Sequence, residues 1–269
     1  MQTNIQANTI MSGILFNEVI FGPIKSRRLG VSLGINLLPT DKKICNFNCI
    51  YCECGWTDKV EDIRKTLCDR KIVYNYLEER LKQLADKSAL LNSITFAGNG
   101  EPTLHPDFSG IVDDVIKLRD EYYTDAKVTV LSNSLNLNKK EVFDALLKVD
   151  NNILKLDAGT EKTFRQINRA NKSYSLEEVV NNLKRFNGNV IIQTLFLRGE
   201  YNGEIIDNTT NEEIEAWLKS IIEIKPAYVM IYPIDRATPA DNLVKLSKEE
   251  LETIAEKARA KGIITKVYE

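Results

Sequence analysis

The chain has 269 residues, 43% hydrophobic and 28% charged, enough apolar material for one well-packed core or two small ones. A formal net charge of −2, with an isoelectric point near 5.8, leaves no basic surplus and argues against extensive phosphate binding. No apolar run approaches membrane-spanning length and the polar N-terminus shows no signal-peptide pattern, so a cytoplasmic, reducing location is expected.

The first predicted strand is the apolar run Ser32–Leu38, which leads directly into Cys45-Asn46-Phe47-Asn48-Cys49-Ile50-Tyr51-Cys52. A charged stretch from Asp58 to Arg70 precedes a run with helical apolar spacing around Val73–Leu81. Ser93–Ala97 reads as a buried strand ending in Gly98-Asn99-Gly100-Glu101-Pro102. A helix over Phe108–Arg119, a strand over Ala126–Leu131 and a helix over Lys139–Leu147 follow. The strand Ile153–Asp157 comes next, then helices over Glu161–Ile167 and Leu176–Phe186. The strand Val190–Phe196 precedes a helix over Asn211–Ile224, with Thr210 or Asn211 as N-cap. Ala227–Tyr232 is a strand, and Ser247 with Glu250 three residues on opens a helix over Lys248–Ala260 as a capping box. Ile263–Val267 is the last strand.

This alternation with short connections calls for an α/β fold with a parallel sheet and right-handed crossovers. Six or seven strand–helix units are too few for a closed eightfold barrel. No composition break, repeat or low-complexity linker divides the chain. It is therefore expected to form one unit over residues 1–269. Within it, residues 1–20 form an N-terminal extension, 21–241 a motif-bearing core, and 242–269 a closing helix and strand. Chemistry in such folds gathers where the C-terminal ends of the strands meet their loops.

The cysteine spacing C-x3-C-x2-C brings three thiolates to one tight loop and leaves one metal position open, which suits a site that binds a substrate. The competing reading is structural zinc, with Cys54 as the fourth thiolate, although no second knuckle pair exists. Disulfides fit poorly with an odd cysteine count and no secretory signal. The glycines at Gly98 and Gly100 let backbone approach a ligand, and Glu101 can bind an ammonium group. Lys155 and Asp157 fall on one face of their strand, either as an ion pair or as ligand contacts. The Gln193 amide, inside an apolar strand, is expected to face the barrel interior. Asp235 and Arg236 lie past a strand end, Lys25, Arg27 and Arg28 could meet an anionic substrate at the mouth, and His105 reads as a loop residue.

With Tyr51 before the third cysteine, C-x3-C-x-Tyr-x-C resembles the signature of the radical S-adenosylmethionine (radical SAM) superfamily. Together with Gly22–Gly30 and Ser32–Asn36, it is similar to a branch of compact Fe–S oxidoreductase-like proteins related to wyosine base-forming enzymes. The resemblance runs from about Phe21 to about Asp241. It implies a partial (β/α)6 barrel and a [4Fe–4S] cluster on Cys45, Cys49 and Cys52. It also implies reductive cleavage of S-adenosyl-L-methionine to a 5′-deoxyadenosyl radical that takes hydrogen from a substrate. Gly98, Asn99, Gly100 and Glu101 would correspond to the segment holding the cofactor's amino group, with Asn99 departing from the usual glycine. Ser132 and Asn133 would meet the ribose, and Tyr51, Lys155, Asp157 and Gln193 would complete the cofactor site.

The implied partners are an electron donor such as flavodoxin or ferredoxin and a substrate such as a tRNA/RNA base, with no membrane. Two alternatives stand beside this: a radical-generating activase acting on a partner protein, and a non-catalytic zinc-binding protein. No cysteine precedes Cys45 and none follows Cys68, so additional clusters are not expected.

Overall fold

In a computed structural model describing residues 13–59 and 62–269, β1 (Ile20–Ser26) forms an antiparallel hairpin with β2 (Gly30–Ile35). Strand and helix then alternate: α1 (Arg70–Asp86), β3 (Ser93–Phe96), α2 (Phe108–Tyr122), β4 (Lys127–Ser132), α3 (Lys140–Lys148) and β5 (Asn151–Lys155). Helices α4 (Glu161–Asn168) and α5 (Leu176–Lys184) lead to β6 (Ile191–Leu195), and a hairpin of β7 (Leu197–Tyr201) and β8 (Glu204–Asp207) follows. The chain continues through α6 (Asn211–Ile224), β9 (Tyr228–Tyr232), β10 (Asn242–Lys245), α7 (Lys248–Arg259) and β11 (Thr265–Val267).

The main sheet has the order β1-β2-β3-β4-β5-β6-β9-β11, with every pairing after β1 parallel. Each successive parallel strand is reached through a helical crossover. This is the expected open (β/α)6 barrel, with β1 and β11 at its unclosed edges. Strands β3 and β6 are buried along their whole length, polar Ser93, Thr95, Gln193 and Thr194 included, as expected for parallel strands covered on both faces. Helices α1, α2, α5 and α6 each turn an apolar stripe toward the sheet.

Strand boundaries moved where a side chain intervened. The predicted strand to Leu38 stops at Ile35, because Asn36 Oδ1 accepts from the Leu38 amide and turns the chain. Thr210 caps α6, and the Ser247–Glu250 box opens α7 as read; Ser175–Glu178 forms a second box at α5. Strand β1 and the small antiparallel sheet β10-β7-β8 were not anticipated. Their sequences lack the long apolar runs of the parallel strands, because their outer faces meet solvent. Of the N-terminal extension, residues 1–12 lie outside the described residues. Among the described residues, no helix is long and apolar enough to cross a membrane.

Candidate active site

The cysteine loop is fixed from two sides. Ile44 pairs with Gly100: its amide donates to the Asn99 carbonyl at 2.9 Å, and its carbonyl accepts from the Glu101 amide at 3.1 Å. On the other side, the amides of Asn48 and Ile50 each donate, at 3.0 Å, to the carbonyls of Asn168 and Ile167, the unpaired last carbonyls of α4. The approach of the loop to β3 depends on glycine. Gly100 has φ +136°, and a Cβ there would lie 1.8 Å from the Ile44 carbonyl oxygen.

These constraints put Cys45, Cys49 and Cys52 on the wall of one cavity of about 390 Å³, within the range of small-molecule sites. Tyr51, Gly98, Gly100 and Glu101 line it as well, and so do Ser132, Asn133, Lys155 and Gln193. Two of the expected contacts do not reach it. Asn99 is fully buried: its side chain accepts from the Phe16 amide and donates to the Phe16 and Pro39 carbonyls, so it anchors the N-terminal segment. Asp157, with a side chain 0% exposed, stands behind the wall and takes hydrogen bonds from Leu195 N, Asn168 Nδ2 and the Tyr51 hydroxyl.

Lys155 and Asp157 form the ion pair anticipated from their spacing, Nζ to Oδ2 at 3.4 Å, and only Lys155 faces the cavity. Burial, the largest single influence, opposes the Lys155 charge, but the Asp157 carboxylate, the Tyr232 hydroxyl and the Cys49 sulfur together outweigh it and hold the ammonium above its ordinary pKa. Lys155 Nζ also donates to the hydroxyls of Tyr51 at 2.8 Å and Tyr232 at 3.3 Å. Burial, with the Asp157 carboxylate adding to it, raises the Tyr51 phenol well above its usual pKa.

Glu101 is 2% exposed. Its Oε1 accepts from Thr103 N, Thr103 Oγ1 and Ser132 Oγ, while among the described residues Oε2 accepts only from Asn133 N at 2.7 Å. Oε2 thus keeps a lone pair for a ligand on the cavity side. Burial pushes the carboxyl upward in pKa against these hydrogen bonds. The Ser132 hydroxyl proton is spent on Glu101, so Ser132 orients that carboxylate.

The donor set suits thiolate-bound iron–sulfur chemistry. Phe47 N at 3.4 Å and Asn133 Nδ2 at 3.5 Å point at Cys45 Sγ, and Asn168 Nδ2 lies 3.5 Å from Cys49 Sγ. The ammonium of Lys43, a residue 2% exposed, donates to the Gly55 carbonyl at 2.9 Å. Burial works against that charge, yet the sulfurs of Cys52, Cys45 and Cys49 keep its pKa above the ordinary value. Cys45 is pushed up to about 12 by burial, whereas neighbouring Cys54, opposed by burial and aided by Lys43, holds Cys52 below its ordinary value. Among the described residues, no three or more His, Cys, Asp and Glu form a set that could hold a metal ion. The three thiols share a cavity wall without forming a single-ion coordination sphere. Cys54, the fourth ligand of the zinc reading, lines the same cavity and points its thiol at the Gly98 carbonyl.

Lys43, Asn168, Tyr232, Tyr268 and Phe16 were missed. Lys43 sits two residues before Cys45 and could have been suspected there; the others carry no local motif. Asp235 lines the cavity and pairs with Arg27, while Arg236 pairs with Glu53. His105 is buried away from the cavity. Its Nδ1 accepts from the Asp107 amide, which leaves Nε2 to donate to the Cys68 carbonyl.

The Radical SAM superfamily model matches residues 42–209 of the chain. A Brachyspira hyodysenteriae protein named GTPase Obg is 35% identical over 242 residues, a match covering 87% of this chain and 32% of that protein. The chain therefore spans about a third of that relative. A UPF0026 protein of Methanocaldococcus jannaschii is 30% identical over 243 residues, covering 87% of this chain and 69% of that protein. Among solved structures, a radical SAM methyltransferase from Sphaerobacter thermophilus superposes with a TM-score of 0.65 at 16% identity, covering 88% of this chain and 65% of that one. Archaeal TYW1 gives 0.51 at 15% identity, covering 85% and 71%, and native anSMEcpe with bound AdoMet gives 0.53 at 14%, covering 87% and 64%. These structural likenesses show the fold. Matched by the superfamily model over more than half its length, the chain belongs to the radical SAM superfamily.

Proposed function

We propose that this chain is a radical SAM enzyme that holds a [4Fe–4S] cluster on Cys45, Cys49 and Cys52 and S-adenosylmethionine in the adjoining cavity. The observation that carries this reading is the meeting of three thiols and the Glu101 carboxylate on one cavity wall, at the C-terminal ends of the parallel strands. Such a cluster would supply the one-electron reduction that opens S-adenosylmethionine to radical chemistry.

The chain's own residues serve that chemistry in definable ways. Glu101 Oε2, oriented by Ser132, Thr103 and Asn133, would accept the cofactor's ammonium. Gly98 and Gly100 let the backbone approach it. Asn133, Asn168 and the Phe47 amide stabilise thiolate sulfur, and Lys43 balances its charge. A flavodoxin or ferredoxin would deliver the electron.

Anaerobic reconstitution, iron and sulfide analysis, and a dithionite assay for 5′-deoxyadenosine test the reading. Wild-type chain is expected to retain iron and sulfide in [4Fe–4S] proportion and to form 5′-deoxyadenosine, with both lost in Cys49→Ala. Stoichiometric zinc, with no cleavage of S-adenosylmethionine, would overturn it in favour of a structural clip.

A further inference from the structure

The cavity has a second end that the cluster and Glu101 leave unused. In the turn joining β1 to β2, Arg28 reaches across the unclosed side of the sheet toward β6 and β9. Its Nη1 donates to Gln193 Oε1 at 3.1 Å, and its guanidinium lies 4.8 Å from the centroid of the Tyr232 ring. Neighbouring Arg27 is matched already, with Nη2 2.7 Å from Asp235 Oδ2. Lys155, on the same wall, is matched by Asp157.

Arg28 is different. Among the described residues, no carboxylate lies within ion-pair distance of it, and only its Nη1 makes a side-chain hydrogen bond. Nε and Nη2 together form the side-on edge of the fork, the edge that grips a carboxylate or phosphate with two parallel bonds. The residue is half-buried and lines the cavity. A partly desolvated guanidinium held in place on one side and unmatched on the other is completed by an anionic ligand. Tyr232 and Gln193 fix its plane, so little side-chain entropy remains to be lost on binding.

We infer that Arg28 is the anion-binding end of the substrate subsite, and that the substrate carries a carboxylate or phosphate gripped side-on by Nε and Nη2. The inference rests on reading the cavity as a radical SAM site. It adds the chemical class of the substrate.

The test uses the reconstituted full chain, with calorimetric titration of S-adenosylmethionine followed by inorganic phosphate or acetate. Wild type, Arg28→Gln, Arg28→Lys and Arg27→Gln are compared. At least one anion is expected to bind the chain already holding S-adenosylmethionine. Arg28→Gln should weaken that anion by roughly ten- to a hundredfold, while Arg27→Gln and the affinity for S-adenosylmethionine change little. Phosphate alone would mark a phosphorylated substrate, and acetate alone a carboxylic acid. Should Arg28→Gln melt too low to titrate, Arg28→Lys keeps the charge without the fork and is expected to bind the anion more weakly than wild type. The inference is overturned if neither anion binds, if both Arg28 variants bind anions as wild type does, or if S-adenosylmethionine affinity falls in parallel. That last result would give Arg28 to the cofactor's carboxylate. A wild-type chain that fails to bind S-adenosylmethionine at all sinks the parent reading instead.

Discussion

At one end of the cavity, Cys45, Cys49, Tyr51 and Cys52 come from a single short loop; at the other, Arg28, Gln193, Tyr232 and Tyr268 come from positions spread from 28 to 268. The first end is set by local geometry, with the loop tied to β3 and to the C-terminus of α4. The second exists only because an open sheet leaves its edge hairpin facing β6 and β9. A local motif can be read from residue spacing. A site assembled across a gap in the sheet shows there only as separate candidates, such as Arg28 and Gln193, whose meeting the sequence does not reveal.

Lys155 joins the two ends, donating to Tyr51 on the thiol side and to Tyr232 on the arginine side. Its support is Asp157, so the change with the largest expected effect is Asp157→Ala. It leaves Lys155, whose side chain is 15% exposed, without its counter-charge. Removing one partner of a buried pair costs about 3–5 kcal/mol, measurable by chemical denaturation. Adding Lys155→Met should return part of that loss by removing the uncompensated charge, while the donors from Leu195 and Asn168 stay unpaired. A single-variant loss below about 1 kcal/mol would show that the pair behaves like a solvated one and does not hold the two ends together.

Lys43→Met separates the ends, since the Lys43 ammonium lies at the thiol end, beside Cys45, Cys49 and Cys52. The variant removes a buried charge and leaves the Gly55 carbonyl without its donor. These terms oppose each other, so the stability of the metal-free protein is expected to change by less than about 1 kcal/mol. Retention of iron against a chelator should fall by about tenfold, as one charge-assisted contact is lost. Unchanged iron retention with lowered stability would make Lys43 a prop for the loop and nothing more.

Most of the fold was legible because the parallel strands are short runs dominated by apolar residues, as in Ile191–Leu195 and Tyr228–Tyr232. Strand β1 and the β10-β7-β8 sheet were not, since a strand with one wet face loses that continuity. Within the site, the thiols, Glu101 and Gln193 could be found from spacing or from a polar residue in an apolar run. Asn99 misled: it occupies a glycine position of the motif, yet its amide turns away to hold Phe16 and Pro39. Asn168 gave no signal. It matters because α4 happens to end beside Cys49, a consequence of packing that no local window contains.

The smallest expected effect belongs to a site that touches neither end and supplies the reference for the others. Asp150 accepts from the Val128 amide at 2.9 Å and Arg119 Nη1 at 2.7 Å, with Lys127 at 3.4 Å. Burial alone would raise its pKa; the Val128 amide and the Arg119 guanidinium outweigh burial and set it below its ordinary value of 3.8. The folded state therefore favours the ionised carboxylate. Its contribution is fully present above the unfolded-state pKa and fades as pH falls through the lowered native one. Asp150→Asn should cost about 1 kcal/mol near neutral pH, after allowance for partial exposure. The gap to wild type should narrow as acid protonates Asp150, and added salt should shrink it too. Iron retention and anion binding should stay as in wild type. A gap that widened in acid would reverse the assigned sign, and a change in iron retention would mean that stability lost at the strand starts reaches the thiols, so that the Lys43 result could no longer be credited to charge alone.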